Sequence, residues 1–197
     1  MKTSRKSQIV NLAGRLFAKG GYNKVTTKTI AEKCNITEAA LYKHFKSKEE
    51  IYLEVLKTIQ TKVSADSFLD TLKDESNIEK LLSSMAKFIS ASYLKHNQML
   101  RLLLYSSLEE HAMARKLFHS TRMPYIDFLT DKLKQLIKAG KIVKINPQIT
   151  ARCFVGMVFD CALNAKLWKG MAGRVYNTET IINNNIPLFA RGLTKAS

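Results

Sequence analysis

Apolar side chains recur at three- and four-residue steps along almost the whole chain, the spacing that gathers them on one face of a helix. Ile9, Leu12, Ala13, Leu16 and Phe17 form the first such face, and Gly20-Gly21 ends it. A shorter face holds Ile30, Ala31 and Cys34, with Lys28, Glu32 and Lys33 turned away. Asn35 and Ile36 make a turn, and Thr37 stands where its hydroxyl caps a third helix by accepting a backbone N–H. In that helix Leu41 and Phe45 pair at i,i+4, which leaves Glu38, Ala39, Tyr42, Lys43 and His44 facing outward. Two short helices joined by a tight turn, the second polar on its outer face, have the layout of a helix-turn-helix that suits a DNA major groove. Ser47 and Glu50 then stand at capping-box spacing and open a fourth helix in which Ile51, Val55 and Ile59 share a face.

The same periodicity predicts helices over residues 5–19, 27–34, 38–45, 48–64, 77–95, 97–109, 111–121, 124–139, 147–168 and 178–193. Pro124, Pro147 and Pro187 fall near helix starts or bends, and Asn146-Pro147 reads as an N-cap followed by the first helical residue. The fold class that follows is all-α. A three-helix DNA-binding head over residues 1–47 continues through the fourth helix into a larger helical bundle over residues 48–197, without a repeat, a low-complexity tract or a long linker.

Charge sharpens the picture at one end. The chain holds 32 Lys and Arg against 16 Asp and Glu, a formal charge of +16, and Glu32 and Glu38 are the only acids before Glu49. A positive field there attracts phosphates whatever the sequence, and by itself it would equally suit RNA or an anionic membrane. No run of about 18 apolar residues is present for a membrane span, and the first dozen residues lack the apolar stretch of a secretory signal, so the expected location is the cytoplasm.

The stretch from Gln8 to Leu56 resembles the TetR family of bacterial transcriptional regulators. Phe17 and Gly21, Thr26-Thr27, Ile30-Ala31, Leu41-Tyr42, His44-Phe45 and Ser47-Lys48-Glu49 carry the likeness together. The resemblance implies that Thr27 and Lys28 meet phosphates, that Tyr42 and His44 present polar tips to the DNA backbone, and that Lys48 adds a charge contact. Thr37, Glu38, Ala39, Ala40 and Lys43 are the candidates for base edges: lysine donates to guanine, glutamate accepts from cytosine N4, and alanine touches a thymine methyl. Glu38-Ala39 departs from the Lys or Arg followed by Gly that many relatives carry, and an acid near phosphates lowers non-specific affinity.

Beyond about residue 60 the resemblance is one of length and helical layout. The segment 147–168 is apolar around most of its circumference and is expected to be buried on nearly every side. With the last helix it resembles the family's four-helix dimer interface, for which Phe154, Gly156, Asp160, Ile182, Ile186 and Phe189 are the candidates. Met and aromatic residues of the middle region can line an adaptable cavity for a small apolar or amphipathic ligand. The candidates are Phe88, Met99, Leu103, Tyr105, Met123, Phe128, Phe159 and Asn164, and Asn97, Gln98, Arg101, Glu109 and His111 are further polar groups able to orient a ligand.

Cys34, Cys153 and Cys161 have no C-x-x-C spacing and read as reduced, buried thiols, the last two eight apart and able to share a helix face. His96 and His111 do not stand at metal-ligand spacing, no cofactor is implied, and the phosphate-cradle and nucleophile motifs of enzymes are absent. The expected function is a ligand-responsive regulator, a repressor that binds a palindromic operator as a homodimer. The alternative is a chromosomal DNA-binding factor, architectural or in cell division, that uses the same head without an effector.

Overall fold

A computed structural model describes residues 4–62, 65–168, 171 and 177–194. Among them the regular structure is all helical: Arg5–Gly20 (α1), Thr27–Lys33 (α2), Glu38–Tyr42 (α3), Lys48–Lys62 (α4), Asp66–Asp70 (α5), Ile78–Lys95 (α6), Asn97–Leu108 (α7), Met113–Thr121 (α8), Met123–Lys138 (α9), Pro147–Lys166 (α10) and Thr178–Leu193 (α11). The caps explain most of these boundaries. Thr26 accepts from Thr29 N, Thr37 from Ala40 N, Ser47 from Glu50 N, Asn77 from Lys80 N, Asn146 from Gln148 N and Ile149 N, and Asn177 from Thr180 N. α5 is a single turn that periodicity did not predict, because five residues are too few to show a repeat.

α3 is shorter than the spacing predicted. It ends at Tyr42 because the chain tightens there: His44 N donates to Leu41 O at 2.9 Å, a three-residue step, while Phe45 N keeps a four-residue bond to the same carbonyl at 3.1 Å. Phe45 is still buried, so the apolar pair with Leu41 survives the change of helix type.

The chain divides into two compact units, residues 1–64 with 98–121, and residues 65–97 with 122–197. The expected division was at 47/48, whereas compaction groups α4, α7 and α8 with the first three helices. In the first unit α1 packs on α2 and α4, and α4 on α8. Gly14 permits the close approach of α1 and α4, since a Cβ there would lie 3.2 Å from Val55 Cγ1. Phe17, Tyr22, Tyr52 and His111 join in one aromatic cluster, with Phe17 and Tyr52 edge to face at 5.0 Å and Tyr22 and His111 at 4.3 Å.

The second unit is built around α10, which meets α6, α9 and α11. Ala151, Phe154, Val155, Val158, Cys161 and Ala162 are buried along it, as its all-round apolar sequence requires. Among the described residues no helix is long and apolar enough to cross a membrane.

Candidate nucleic-acid interface

The helix-turn-helix is set by four local devices. Thr26 caps α2, Asn35 takes the left-handed conformation at φ 53° that turns the chain, Thr37 caps α3, and Leu41 and Phe45 are buried beneath α3. What remains outward on α3 and the turn after it is Ala39, Tyr42, Lys43 and His44, all exposed, with Ala40 half-buried. Lys28 is exposed on α2.

Three of the expected contact residues are already engaged with each other. Thr27 Oγ1 donates to Glu38 Oε1 at 2.5 Å, and the Tyr42 hydroxyl donates to Thr27 Oγ1 at 3.4 Å, so a short chain of bonds ties α3 to the start of α2. Lys48 is also engaged: its Nζ donates to Tyr22 O at 3.1 Å and stands over the Tyr22 ring at 4.1 Å. Its charge braces the α1–α2 turn. Thr37 Oγ1 is the α3 cap, which leaves its hydroxyl proton as the atom able to meet DNA.

Behind this face the α1–α2 turn is gripped by α7. Arg101 Nε donates to Ala18 O at 2.5 Å, the Tyr105 hydroxyl to Lys19 O at 3.1 Å, and the Glu109 carboxylate accepts from Tyr22 N at 2.9 Å and from Asn23 N at 3.2 Å. Gly21, at φ 82° and buried, lies under that carboxylate, and a Cβ there would run into Glu109 Oε1. Arg101, Tyr105, Glu109 and His111 were named as groups able to orient a ligand; the structure places the first three on main-chain atoms of α1 and the turn after it, and His111 in the aromatic cluster. Residues 101, 105 and 109 are four apart, so Arg101 and Tyr105 on α7 and Glu109 just beyond it form one stripe, which meets carbonyls at the end of α1 and N–H groups of the α1–α2 turn. The signal in the sequence was a row of hydrogen-bonding tips at four-residue steps on an otherwise apolar helix.

The other candidate ligand residues divide between the units. Met99 and Leu103 are buried in the first. Phe88, Met123, Phe128, Phe159 and Asn164 belong to the second, where Phe88 stacks on Phe68 at 3.8 Å and Phe159 stands edge to face with Tyr93 at 5.3 Å. The Arg122 guanidinium lies over the Phe159 ring at 4.3 Å, and burial, joined by the charge of Arg152, pulls its pKa down. Asn164 donates to Asp160 Oδ2 at 2.8 Å on the same helix. A hollow of about 350 Å³ opens between α6 and α11, lined by Lys87, Ser90, Ala91, Leu94, Thr178, Glu179 and Ile182.

Of the candidate interface residues in this unit, Phe154, Ile182 and Ile186 are inside its own core, with Phe189 half-buried against Phe154 at 5.7 Å. Gly156 is half-exposed and Asp160 exposed, and Ile149 and Leu188 add exposed apolar surface on the same two helices. The cysteines also depart from expectation. Cys161 is buried and Cys34 half-buried, burial raising both thiol pKa values, but Cys153 is exposed. Eight residues at about 100° per residue leave Cys153 and Cys161 roughly 80° apart, enough to turn one outward from a packed helix.

Residues 9–55 match the family model described as bacterial regulatory proteins, tetR family. The chain is 24% identical over 168 residues to the HTH-type transcriptional regulator YhgD of Bacillus subtilis strain 168, covering 81% of this chain and 85% of that one. It is 23% identical over 200 residues to the HTH-type transcriptional repressor KstR2 of Rhodococcus jostii strain RHA1, covering 98% and 92%. The crystal structure of AibR with isovaleryl coenzyme A and operator DNA superposes with a TM-score of 0.68 at 24% identity, over 94% of this chain and 97% of that one. The head over residues 9–55 is that of the TetR family, the helix-turn-helix of a DNA-binding transcription regulator.

Proposed function

We propose that this regulator is a repressor that binds an inverted-repeat operator as a homodimer and is released by a small apolar or amphipathic effector. The observation that carries the reading is the form of α3: a capped helix buried through Leu41 and Phe45, with Tyr42, Lys43 and His44 exposed beyond it on a head that is almost free of acids. Two such heads would place their recognition helices in successive major grooves, about 34–36 Å apart. Ile149, Gly156, Asp160, Leu188 and Phe189 are the surface of α10 and α11 on which a second copy would pack, with Phe154, Ile182 and Ile186 as the core that stiffens it.

Phe88, Met123, Phe128, Phe159 and Asn164 supply apolar and polar groups for the effector, and acyl thioesters are the first class to test, since AibR was solved with one. Release requires the effector to bind two conformers unequally, because equal affinity shifts nothing. α4, which leaves the helix-turn-helix directly, is the lever. The test is selection of the full-length protein on random duplex DNA, then an anisotropy titration on the enriched sequence with and without isovaleryl coenzyme A. An enriched inverted repeat bound at nanomolar concentration, two chains per duplex, is the expected result. Salt-sensitive binding with no enriched sequence would favour a chromosomal architectural factor.

A further inference from the structure

We infer that Glu38 sets the sequence preference of this head by holding the Thr27 hydroxyl away from phosphate until a cytosine amine takes its carboxylate; the inference rests on the operator-binding reading above. Thr27 carries one hydroxyl proton, and it goes to Glu38 Oε1 at 2.5 Å. A phosphate oxygen is also an acceptor and needs that same proton, so Glu38 and the DNA backbone compete for one donor. Tyr42 is drawn into the competition, because its hydroxyl proton points to Thr27 Oγ1 at 3.4 Å. Two of the hydroxyls available to the duplex are therefore ordered around a carboxylate.

The partner of that carboxylate is a neutral hydroxyl, so the bond leaves its negative charge in place. On a duplex that offers Glu38 nothing, the backbone meets a withheld donor and a repelling charge together. A C·G pair changes this. Glu38 is the first residue of α3, the part of a recognition helix that reaches base edges, and cytosine N4 in the major groove is a donor. When the carboxylate accepts from N4, the Thr27–Glu38 bond is exchanged for a Glu38–cytosine bond and a Thr27–phosphate bond. Reading one base thereby licenses one backbone contact, and other bases at that position leave the competition standing.

The experiment uses the full-length protein on its selected duplex and on random duplex, with anisotropy titrations over a range of salt. Glu38→Gln keeps an oxygen for Thr27 and removes the charge. It is expected to bind random DNA about three- to tenfold tighter with a salt slope steeper by up to about one, while its preference for the selected duplex falls at least fivefold. Repeating the selection with Glu38→Gln is expected to lose one C·G position per half-site. Thr27→Val is expected to weaken the selected duplex and to reduce the effect of Glu38→Gln there, and Thr27→Ser to restore it. If Glu38→Gln shifts both duplexes equally and selects the wild-type sequence, this inference fails while the regulator reading stands. If the wild type itself enriches no sequence, both fall.

Discussion

The two compact units are held together by different kinds of contact. In the first, side chains cross long stretches of sequence to reach main-chain atoms: Arg101 to Ala18 O, Tyr105 to Lys19 O, Glu109 to two N–H groups of the α1–α2 turn, and Lys48 to Tyr22 O. In the second, the long-range polar ties among the described residues include Lys132 Nζ to Lys73 O at 2.6 Å and Val143 N to Leu193 O at 2.8 Å, and α10 is buried in apolar packing along its length. A directed bond is lost when its atoms part by an ångström, so the first unit is tied to one geometry. Apolar packing tolerates changes of shape as long as volume is kept. A head that must match a duplex calls for the first solution, and on the proposed function a body that admits a ligand calls for the second.

The comparison breaks most visibly where a large apolar group is removed from α10. Phe154→Ala should destabilise the second unit by about 3–5 kcal/mol, since its ring is fully buried and packs on Phe189. Urea unfolding measures the loss, and amide exchange should place it in α6, α9, α10 and α11. Gly21→Ala tests the first unit. The alanine takes a backbone conformation that L residues rarely adopt, and its Cβ displaces the Glu109 carboxylate, so about 2–4 kcal/mol should be lost. Exchange should then rise around Tyr22 and Asn23. A Gly21→Ala protein as stable as the wild type would mean that the grip of α7 contributes nothing to the first unit.

Sequence made one of these solutions much easier to read than the other. Capping is local, so Thr37, Ser47 and Asn146 announced their helices from residues two or three away. The burial of Leu41 and Phe45 was equally plain from their spacing. The grip of α7 was not, because periodicity says which residues share a face but not what that face meets. Arg101, Tyr105 and Glu109 find their partners 83 to 87 positions away, and so they read as ligand groups. The Thr27–Glu38 bond was hidden for the same reason: both residues looked free to meet DNA until the angle between α2 and α3 brought them together. In α10 the apolar character is so even that spacing gave no warning that Cys153 faces outward.

Tyr52 in the first unit and Tyr125 in the second are buried tyrosines whose ionisation weakens the fold, which allows the units to be compared by pH. Burial pushes the Tyr52 phenol up to about 12, with the Glu109 charge adding and a hydrogen bond to Ser106 opposing. Burial, with Asp66 adding, pushes Tyr125 to about 12 as well. In both cases the folded state holds its proton more tightly than the unfolded chain, whose tyrosines titrate near 10. The stabilisation is therefore complete below about pH 10 and is lost as pH rises toward 12, up to about 2–3 kcal/mol for each residue. Tyr52→Phe should flatten the alkaline fall in the first unit alone and Tyr125→Phe in the second alone, read by amide exchange or by unfolding at successive pH values. A fall that persists unchanged in both variants would assign it to other groups.

The smallest expected change is the most specific to the directed bonds themselves. Glu109→Gln keeps one oxygen able to accept from Tyr22 N or Asn23 N but removes the charge that strengthens both bonds, so about 1 kcal/mol of stability should be lost. Its counterpart in the second unit, Lys132→Met, also removes one polar contact to a main-chain carbonyl and keeps most of the volume. The two differ in what they should do to operator binding. The α1–α2 turn leads straight into α2, which carries Thr27 and Lys28, so loosening it should weaken binding to the selected duplex severalfold. Lys132→Met should leave that affinity unchanged at equal stability. Equal effects of the two variants on DNA would show that the bonds of the first unit serve stability only, and that the position of α2 is fixed by the buried faces of α1 and α3 instead.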